Sequence, residues 1–303
     1  MKRLEMWLTI PFLIRLNLLF SAGNTLPCLA VGFINQKSVK SVVSKVYRCM
    51  NKLNAVVIIP ARYASTRLPG KLILPEVKVA TGKYIIEHVY QNVKRSRRLE
   101  RVIVATDSQL IYDIVKGFGG EVEMTSPAHE SGTDRIAEVA GRLKADIIVN
   151  VQGDEPEVNA NMVDLVIDAL AGDDGAAMST LAHVIKNEAE LANPNVVKVA
   201  LDNRGYALYF SRLPIPYIRD RGRAAGDAGV AHLRHLGIYA YRKGFLLQYS
   251  KLPPSPLEGA EKLEQLRALS NGYKIKVSIT GDTSIGIDTR EDLVAFMGKF
   301  KHD

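Results

Sequence analysis

Ala55-Val-Val-Ile-Ile59 is an unbroken apolar run, and it opens directly onto Pro60-Ala-Arg-Tyr-Ala-Ser-Thr-Arg-Leu-Pro-Gly-Lys71. Consecutive apolar side chains in an extended segment need cover on both faces. This marks a strand buried inside a parallel sheet, and Pro60 signals its end. The basic segment that follows therefore sits at a strand's carboxyl end.

The pattern repeats along the chain. Gly82 to Ser96 has helical spacing, Arg101-Val-Ile-Val-Ala-Thr106 reads as a second strand, and Ser108 to Gly117 as a helix closed by glycines. Glu121 to Met124 reads as a strand, Thr133 to Leu143 as a helix and Asp146 to Gln152 as a further strongly apolar strand. Strand and helix in alternation predict an α/β fold with a doubly wound, mostly parallel sheet. In such sheets ligands bind beyond the carboxyl ends of the strands. After Asn203 the rhythm changes. Tyr206 to Arg212 and Leu236 to Arg242 read as strands flanking the basic, glycine-containing segment Arg219 to Gly229. An inserted β-rich subdomain over roughly 204–245 is expected. Glu258 to Asn271 then reads as a helix, Lys274 to Thr280 as a strand and Thr289 to Lys299 as the closing helix.

The 303 residues are 47% hydrophobic and 24% charged, an ordinary globular composition. The net charge of +8 is unevenly spread: residues 1–52 hold eight basic side chains against Glu5 alone, leaving the remainder at +1. A nearly neutral body lacks the basic stripe that nucleic acid requires. Cys28 and Cys49, the two cysteines, also fall in residues 1–52, so the body has neither a disulfide framework nor a thiolate metal site. Lys2 and Arg3 precede an apolar stretch from Met6 to Phe20, the outline of a targeting segment, but Arg15 interrupts it. Residues 1–52 are expected to be an extension outside the catalytic fold, with Met50 close to the functional start and 53–303 forming one catalytic domain.

Arg62, Arg67 and Lys71 cluster just past the first strand. Leu72 follows the lysine where a Walker loop needs Ser or Thr, yet fixed cations and backbone donors can still clamp a triphosphate. The bland alternative is a solvated basic loop. Val151-Gln-Gly-Asp-Glu-Pro156 brings Asp154 and Glu155 out of the third apolar strand, where a carboxylate suits magnesium sharing phosphate oxygens and water. A turn-forming Asp before Pro156 is the competing explanation. Asp288, in Gly286-Ile-Asp-Thr-Arg-Glu-Asp292, is a second such acid, though it could simply open the helix that Thr289 and Asp292 cap. Two strand-end acids beside a cationic loop favour a metal–triphosphate site over each bland reading taken singly. The six histidines show no zinc-ligand spacing, and no Gly-x-Ser-x-Gly elbow occurs. Zinc and serine-hydrolase chemistry are excluded.

Taken in order, a set of segments resembles the 3-deoxy-manno-octulosonate cytidylyltransferases across roughly 53–300. The set is Ile58 to Lys71, Val104-Ala-Thr-Asp107, Ser131-Gly-Thr-Asp134, Asn150 to Pro156, Asn193 to Lys198, Tyr206 to Arg212, Arg234 to Tyr239, Ser255 to Glu258, Leu263 to Arg267 and Gly286 to Thr289. The resemblance implies a nucleotide-diphospho-sugar transferase-like fold and CMP transfer from CTP to an acidic sugar, with magnesium. It implies that Arg62, Arg67 and Lys71 hold the CTP phosphates, with Arg62 and Lys71 catalytic. Ser131 and Gln152 would lie near the cytidine, and Asp154 and Asp288 would hold the metal. Arg212, His235, Tyr239, Glu264 and Gln265 would line the sugar pocket, with Arg212 and His235 answering the sugar carboxylate. A homodimer through the β-rich region and a cytoplasmic location are implied too. The chain departs from the family pattern over Lys71 to Tyr84, where a longer loop without the usual prolines is expected. Competing readings are a cytidylyltransferase for sialic acid or 8-amino-octulosonate, and a non-catalytic nucleotide-sugar-binding regulator.

Overall fold

The first strand, β1 (Ala55–Ala61), carries the apolar run through Pro60 to the edge of the basic segment. Its side chains alternate between two cores. Val57 and Ile59 pack on one face of the sheet, Val56 and Ile58 on the other, and all are fully or almost fully buried. Each such side chain contributes about 1.5–3 kcal/mol on burial. A polar substitution within β1 would be strongly destabilising for that reason.

The computed structural model describes residues 53–64, 68–129, 131–219 and 231–300, all within one compact unit, Leu53–Asp303. Expectations for residues 1–52, for Arg67 and for the basic segment after Arg219 fall outside the described residues.

Among the described residues the sheet has nine strands. β1 is flanked by β2 (Leu99–Thr106) and β4 (Ile147–Asn150), and β2 by β3 (Glu121–Met124), all parallel. Strand order runs outward from β1 in both directions, so the β1/β4 edge is the topological switch point where α/β folds open a crevice. Helices cover both faces. A short α1 (Pro75–Thr81), α2 (Ile85–Lys94) and α3 (Gln109–Gly117) precede α4 (Gly132–Arg142) and α5 (Ala160–Ala171). The α4 stripe Ile136, Val139, Ala140 faces Val56 and Ile58, while Ile85, Ile86 and Val89 of α2 share the Val57 and Ile59 core with Val163 and Val166 of α5.

The remaining strands are β5 (Met178–Val184), β6 (Lys198–Leu201), β7 (Ala207–Ser211), β8 (Leu233–Arg242) and β9 (Ile275–Thr280). Here the β-rich expectation is refined. β8 lies not in a separate lobe but in the middle of the main sheet, antiparallel between β4 and β5. The reason is its two-sided burial: Leu236, Ile238 and Ala240 belong to one core, Leu233 and Tyr241 to the other. Only β6 and β7 branch off, β6 pairing with the start of β8 and β7 with β6.

The departure over Lys71 to Tyr84 is not a loop. Lys71–Ile73 form a single 3₁₀ turn, and α1 follows with Pro75 in its first turn and Gly82 closing it at φ 79°. After the short α6 (Glu188–Ala192) and α7 (Lys243–Tyr249), the single helix expected from Glu258 is two. These are α8 (Pro256–Glu261) and α9 (Gln265–Ser270), broken where Lys262 turns left-handed at φ 54°. The closing α10 (Arg290–Gly298) begins with the full capping box of Thr289 and Asp292.

Candidate active site

A cavity of about 490 Å³ opens at the carboxyl ends of β1 and β4. Arg62, Lys71, Ser131, Gln152, Asp154 and Asp288 line it, with Tyr239, Glu264 and Gln265. The sequence-derived candidates are thus largely brought together, from segments more than 200 positions apart in the Lys71–Asp288 case.

The two acids meet on one cation. Lys71 Nζ lies 2.5 Å from Asp154 Oδ2 and 2.9 Å from Asp288 Oδ1, and donates to the Ile287 carbonyl at 2.8 Å. Burial works to lower the Lys71 pKa, but the charge and hydrogen bond of Asp154, reinforced by Asp288, outweigh it and the pKa is raised. Lys71 is therefore a fixed positive charge. Asp288 is not spent on opening α10. The Asp292 carboxylate accepts from the amides of Asp288 and Thr289, which leaves the Asp288 side chain to Lys71. The bland reading of Asp288 fails on this geometry. The Ile287 amide donates to the Asp154 carbonyl at 2.9 Å, tying the two acid-bearing segments together.

Behind Asp154, the Glu155 pKa is pushed up to about 7, by burial first and then by the negative charge of Asp154. Gly237 passes so close that a Cβ there would meet Glu155 Oε1 at 2.9 Å. Two carboxylates that converge on one point-like cation are a donor set that fits magnesium. That ion takes one or two protein carboxylates and fills its octahedron from phosphate and water.

Ser131 caps α4. Its Oγ accepts from the Asp134 amide at 3.1 Å and donates to Asp134 Oδ2 at 2.8 Å, so the helix N-terminus is held at the cavity wall. Gly132 packs on Pro60, where a Cβ would lie 3.4 Å from the ring. Gln152 Nε2 reaches Asn150 Oδ1 at 3.4 Å.

On the opposite wall, Tyr239 is held in its neutral form by burial and by the charge of Glu264. Glu264 Oε2 accepts from Thr133 Oγ1 at 2.9 Å, and its carbonyl accepts from Tyr249 at 2.6 Å. The helix break at Lys262 is what turns this segment toward the cavity.

Two expected sugar ligands are not among the side chains that line the cavity. The Arg212 guanidinium donates to the Glu261 and Pro194 carbonyls at 2.7 and 3.0 Å, and neither Arg212 nor His235 lines the cavity. The His235 ring packs against Phe210 and Tyr239, with Nε2 paired to Thr180 Oγ1 at 3.0 Å. Burial, then the charge of Arg234, lowers its pKa to about 3. The ring is therefore held in its neutral form.

Residues that the sequence reading left without a role also line the cavity, among them Thr133, Arg135, Tyr249 and Lys262. Arg135 is buried, with Nη2 on Asp107 at 2.7 Å and Nη1 on Thr125 Oγ1 at 2.5 Å. This explains why Val104-Ala-Thr-Asp107 and the segment beginning at Ser131 occur together. The signal for Lys262 was its place immediately before Leu263-Glu-Gln-Leu-Arg267.

Comparison with known proteins agrees with this architecture. A family model described as Cytidylyltransferase matches residues 56–275. The 3-deoxy-manno-octulosonate cytidylyltransferase of Geobacter sulfurreducens is 49% identical over 254 residues, covering 82% of this chain and 100% of that protein. The corresponding protein of Syntrophobacter fumaroxidans is 50% identical over 254 residues, 83% of this chain and 98% of its own. Among solved structures, a CMP:2-keto-3-deoxy-manno-octonic acid synthetase in complex with CTP aligns with a TM-score of 0.75 at 42% identity. It covers 81% of this chain and 98% of that one. A crevice at the switch point, two acids on one cation and this degree of likeness lead to one assignment: the chain belongs to the cytidylyltransferase family, among the 3-deoxy-manno-octulosonate cytidylyltransferases.

Proposed function

We propose that this protein transfers CMP from CTP to the anomeric hydroxyl of 3-deoxy-D-manno-octulosonate, with magnesium held by Asp154 and Asp288. The observation that carries the reading is the meeting of those two carboxylates on one cation, in a cavity whose other wall presents Tyr239, Glu264 and Gln265. The relatives named for this reaction, near 49% identity over their whole length, support it.

In the reaction the anomeric oxygen bonds to the α-phosphorus, the bond from that phosphorus to the bridging oxygen breaks, the hydroxyl proton leaves, and pyrophosphate departs. When bound, magnesium supplies charge neutralisation at the phosphate and lowers the pKa of a hydroxyl beside it. The protein's own task is to position and to neutralise, which is where catalysis of such transfers lies. Arg62 and Lys71, with Arg67 of the same segment, supply positive charge for the departing phosphates. The α4 N-terminus adds backbone donors near Ser131, and Gln152 faces the nucleoside. Tyr239 donates from its neutral phenol, while Glu264 and Gln265 orient sugar hydroxyls. In this reading Gln265 and Lys262, which line the cavity, answer the sugar carboxylate.

A homodimer through the β7 side of the sheet belongs to the same reading. Leu208 and Leu213 there are 62% and 71% exposed, an apolar surface that a second copy would cover. The product serves lipopolysaccharide or related glycan synthesis, and its nucleotide donor places the reaction in the cytoplasm. No helix among the described residues is long and apolar enough to cross a membrane.

The test is pyrophosphate release from CTP with octulosonate, its 8-amino analogue, sialic acid or no sugar, each with and without magnesium. Release only with octulosonate and magnesium is expected. Release with sialic acid and not octulosonate would assign another substrate, and no release with any sugar would leave a binding protein.

A further inference from the structure

The Lys71 ammonium carries three donors, and the structure gives it three acceptors: Asp154 Oδ2, Asp288 Oδ1 and the Ile287 carbonyl. The residue is 9% exposed, so water replaces little of this. We propose that Lys71 is the resident counter-ion of the metal seat, so that a divalent ion enters only as the ammonium is handed over to nucleotide phosphate. The inference rests on the placement of the ion at Asp154 and Asp288.

The carboxylate oxygens that an ion would take in place of Lys71 are the ones now turned toward the ammonium. An ion on the outer oxygens of the same carboxylates would sit one carboxylate width from a positive charge. At such a distance partial burial screens the repulsion poorly. The ammonium has to leave, and leaving strips the buried Ile287 carbonyl of its donor. Magnesium, for its part, sheds water reluctantly. Phosphate oxygens change both terms at once. They complete the ion's shell, and they give the ammonium new acceptors in the same cavity. Metal and nucleotide are then thermodynamically coupled, each raising the affinity of the other by the same factor. Lys71 thus acts on order of binding as well as on the phosphates. A bare metal ion is kept off acids that a metal–nucleotide complex can occupy.

The experiment follows free Mn²⁺ by electron paramagnetic resonance against the full chain, with no sugar present. The arms are wild type alone, wild type with CTP, Lys71→Met alone, and Lys71→Met combined with Asp154→Asn, with CTP alone as the blank. Lys71→Met alone is expected to bind Mn²⁺ at least about ten-fold more tightly than wild type alone, within the range typical of coupled sites. Adding Asp154→Asn should abolish the gain. Equal Mn²⁺ affinity of wild type and Lys71→Met would overturn the counter-ion role while leaving the metal placement intact. Failure of wild type with CTP to hold more Mn²⁺ than CTP alone would remove the placement itself, and this inference with it. The wild-type chain gives an independent check through the ¹⁵Nζ resonance of Lys71, assigned by its loss in Lys71→Arg. Mg²⁺ alone should leave that resonance in place and CTP with Mg²⁺ should move it. Movement with Mg²⁺ alone contradicts the proposal.

Discussion

The amide of Ile287 donates to the carbonyl of Asp154 at 2.9 Å, and this one bond joins the segment leaving β4 to the segment entering α10. Neither acid alone would specify a site. The backbone link sets their separation before any ligand arrives, which is the preorganisation that electrostatic catalysis depends on. The same junction explains why Asp288 stands one residue ahead of the capping box rather than within it.

Gly153 packs tightly against the end of β1. A Cβ there would lie 3.1 Å from the Pro60 carbonyl and 3.3 Å from Ile86 Cδ1 and Leu72 Cδ1. Gly153→Ala should therefore cost about 1–3 kcal/mol, the usual range for overpacking. It should also lower kcat/KM by displacing Asp154. Urea unfolding and steady-state rates on one preparation check both, and an unchanged denaturation midpoint would refute the packing argument.

Tyr249 donates to the Glu264 carbonyl at 2.6 Å and holds the rim on which Glu264 and Gln265 stand. Tyr249→Phe keeps the ring packing but removes that bond, at about 1 kcal/mol of stability. The KM for the sugar should rise several-fold while the KM for CTP stays constant. A rise confined to CTP would place this rim on the wrong substrate.

His88 gives a pH signature outside the cavity. Burial, then the charge of Lys83, lowers its pKa from 6.5 to about 4, and its ring packs on Phe296 and Phe300. The unfolded chain binds this proton more readily than the folded one. Stability from this group is complete above the unfolded value and is lost as pH falls through the window from 6.5 towards 4. Between pH 8 and pH 5 wild type should lose about 2 kcal/mol more than His88→Gln. Parallel urea titrations of the two proteins measure the difference directly, and equal losses would contradict the shift.

Sequence made the parallel half of the sheet legible because buried strands leave strongly apolar runs, as in Ala55 to Ile59 and Ile147 to Val149. Asp154 followed from its position at such a strand's end. Strand order leaves no such trace. β8 has the alternation of any strand, and only its contacts with β4 and β5 put it at the centre of the sheet. Asp288 was legible as a second candidate acid, but two roles stayed open, site acid or helix opener, since the choice depends on which neighbour caps the helix. That Arg212 and His235 do not line the cavity was not legible for a related reason. A cation answers to whatever acceptors the fold brings near, here the Pro194 and Glu261 carbonyls, and a histidine's charge depends on burial that no local pattern records.

The most direct test of the account is pyrophosphate release at saturating CTP, octulosonate and magnesium by Asp154→Asn and Asp288→Asn, with circular dichroism confirming an unaltered fold. Each variant should lose at least about two orders of magnitude in kcat, the scale of a single electrostatic contributor. The double variant should be little worse than either, because residues acting as a unit are not additive. Near-wild-type turnover by either folded single variant would contradict the claim that these two carboxylates serve one ion.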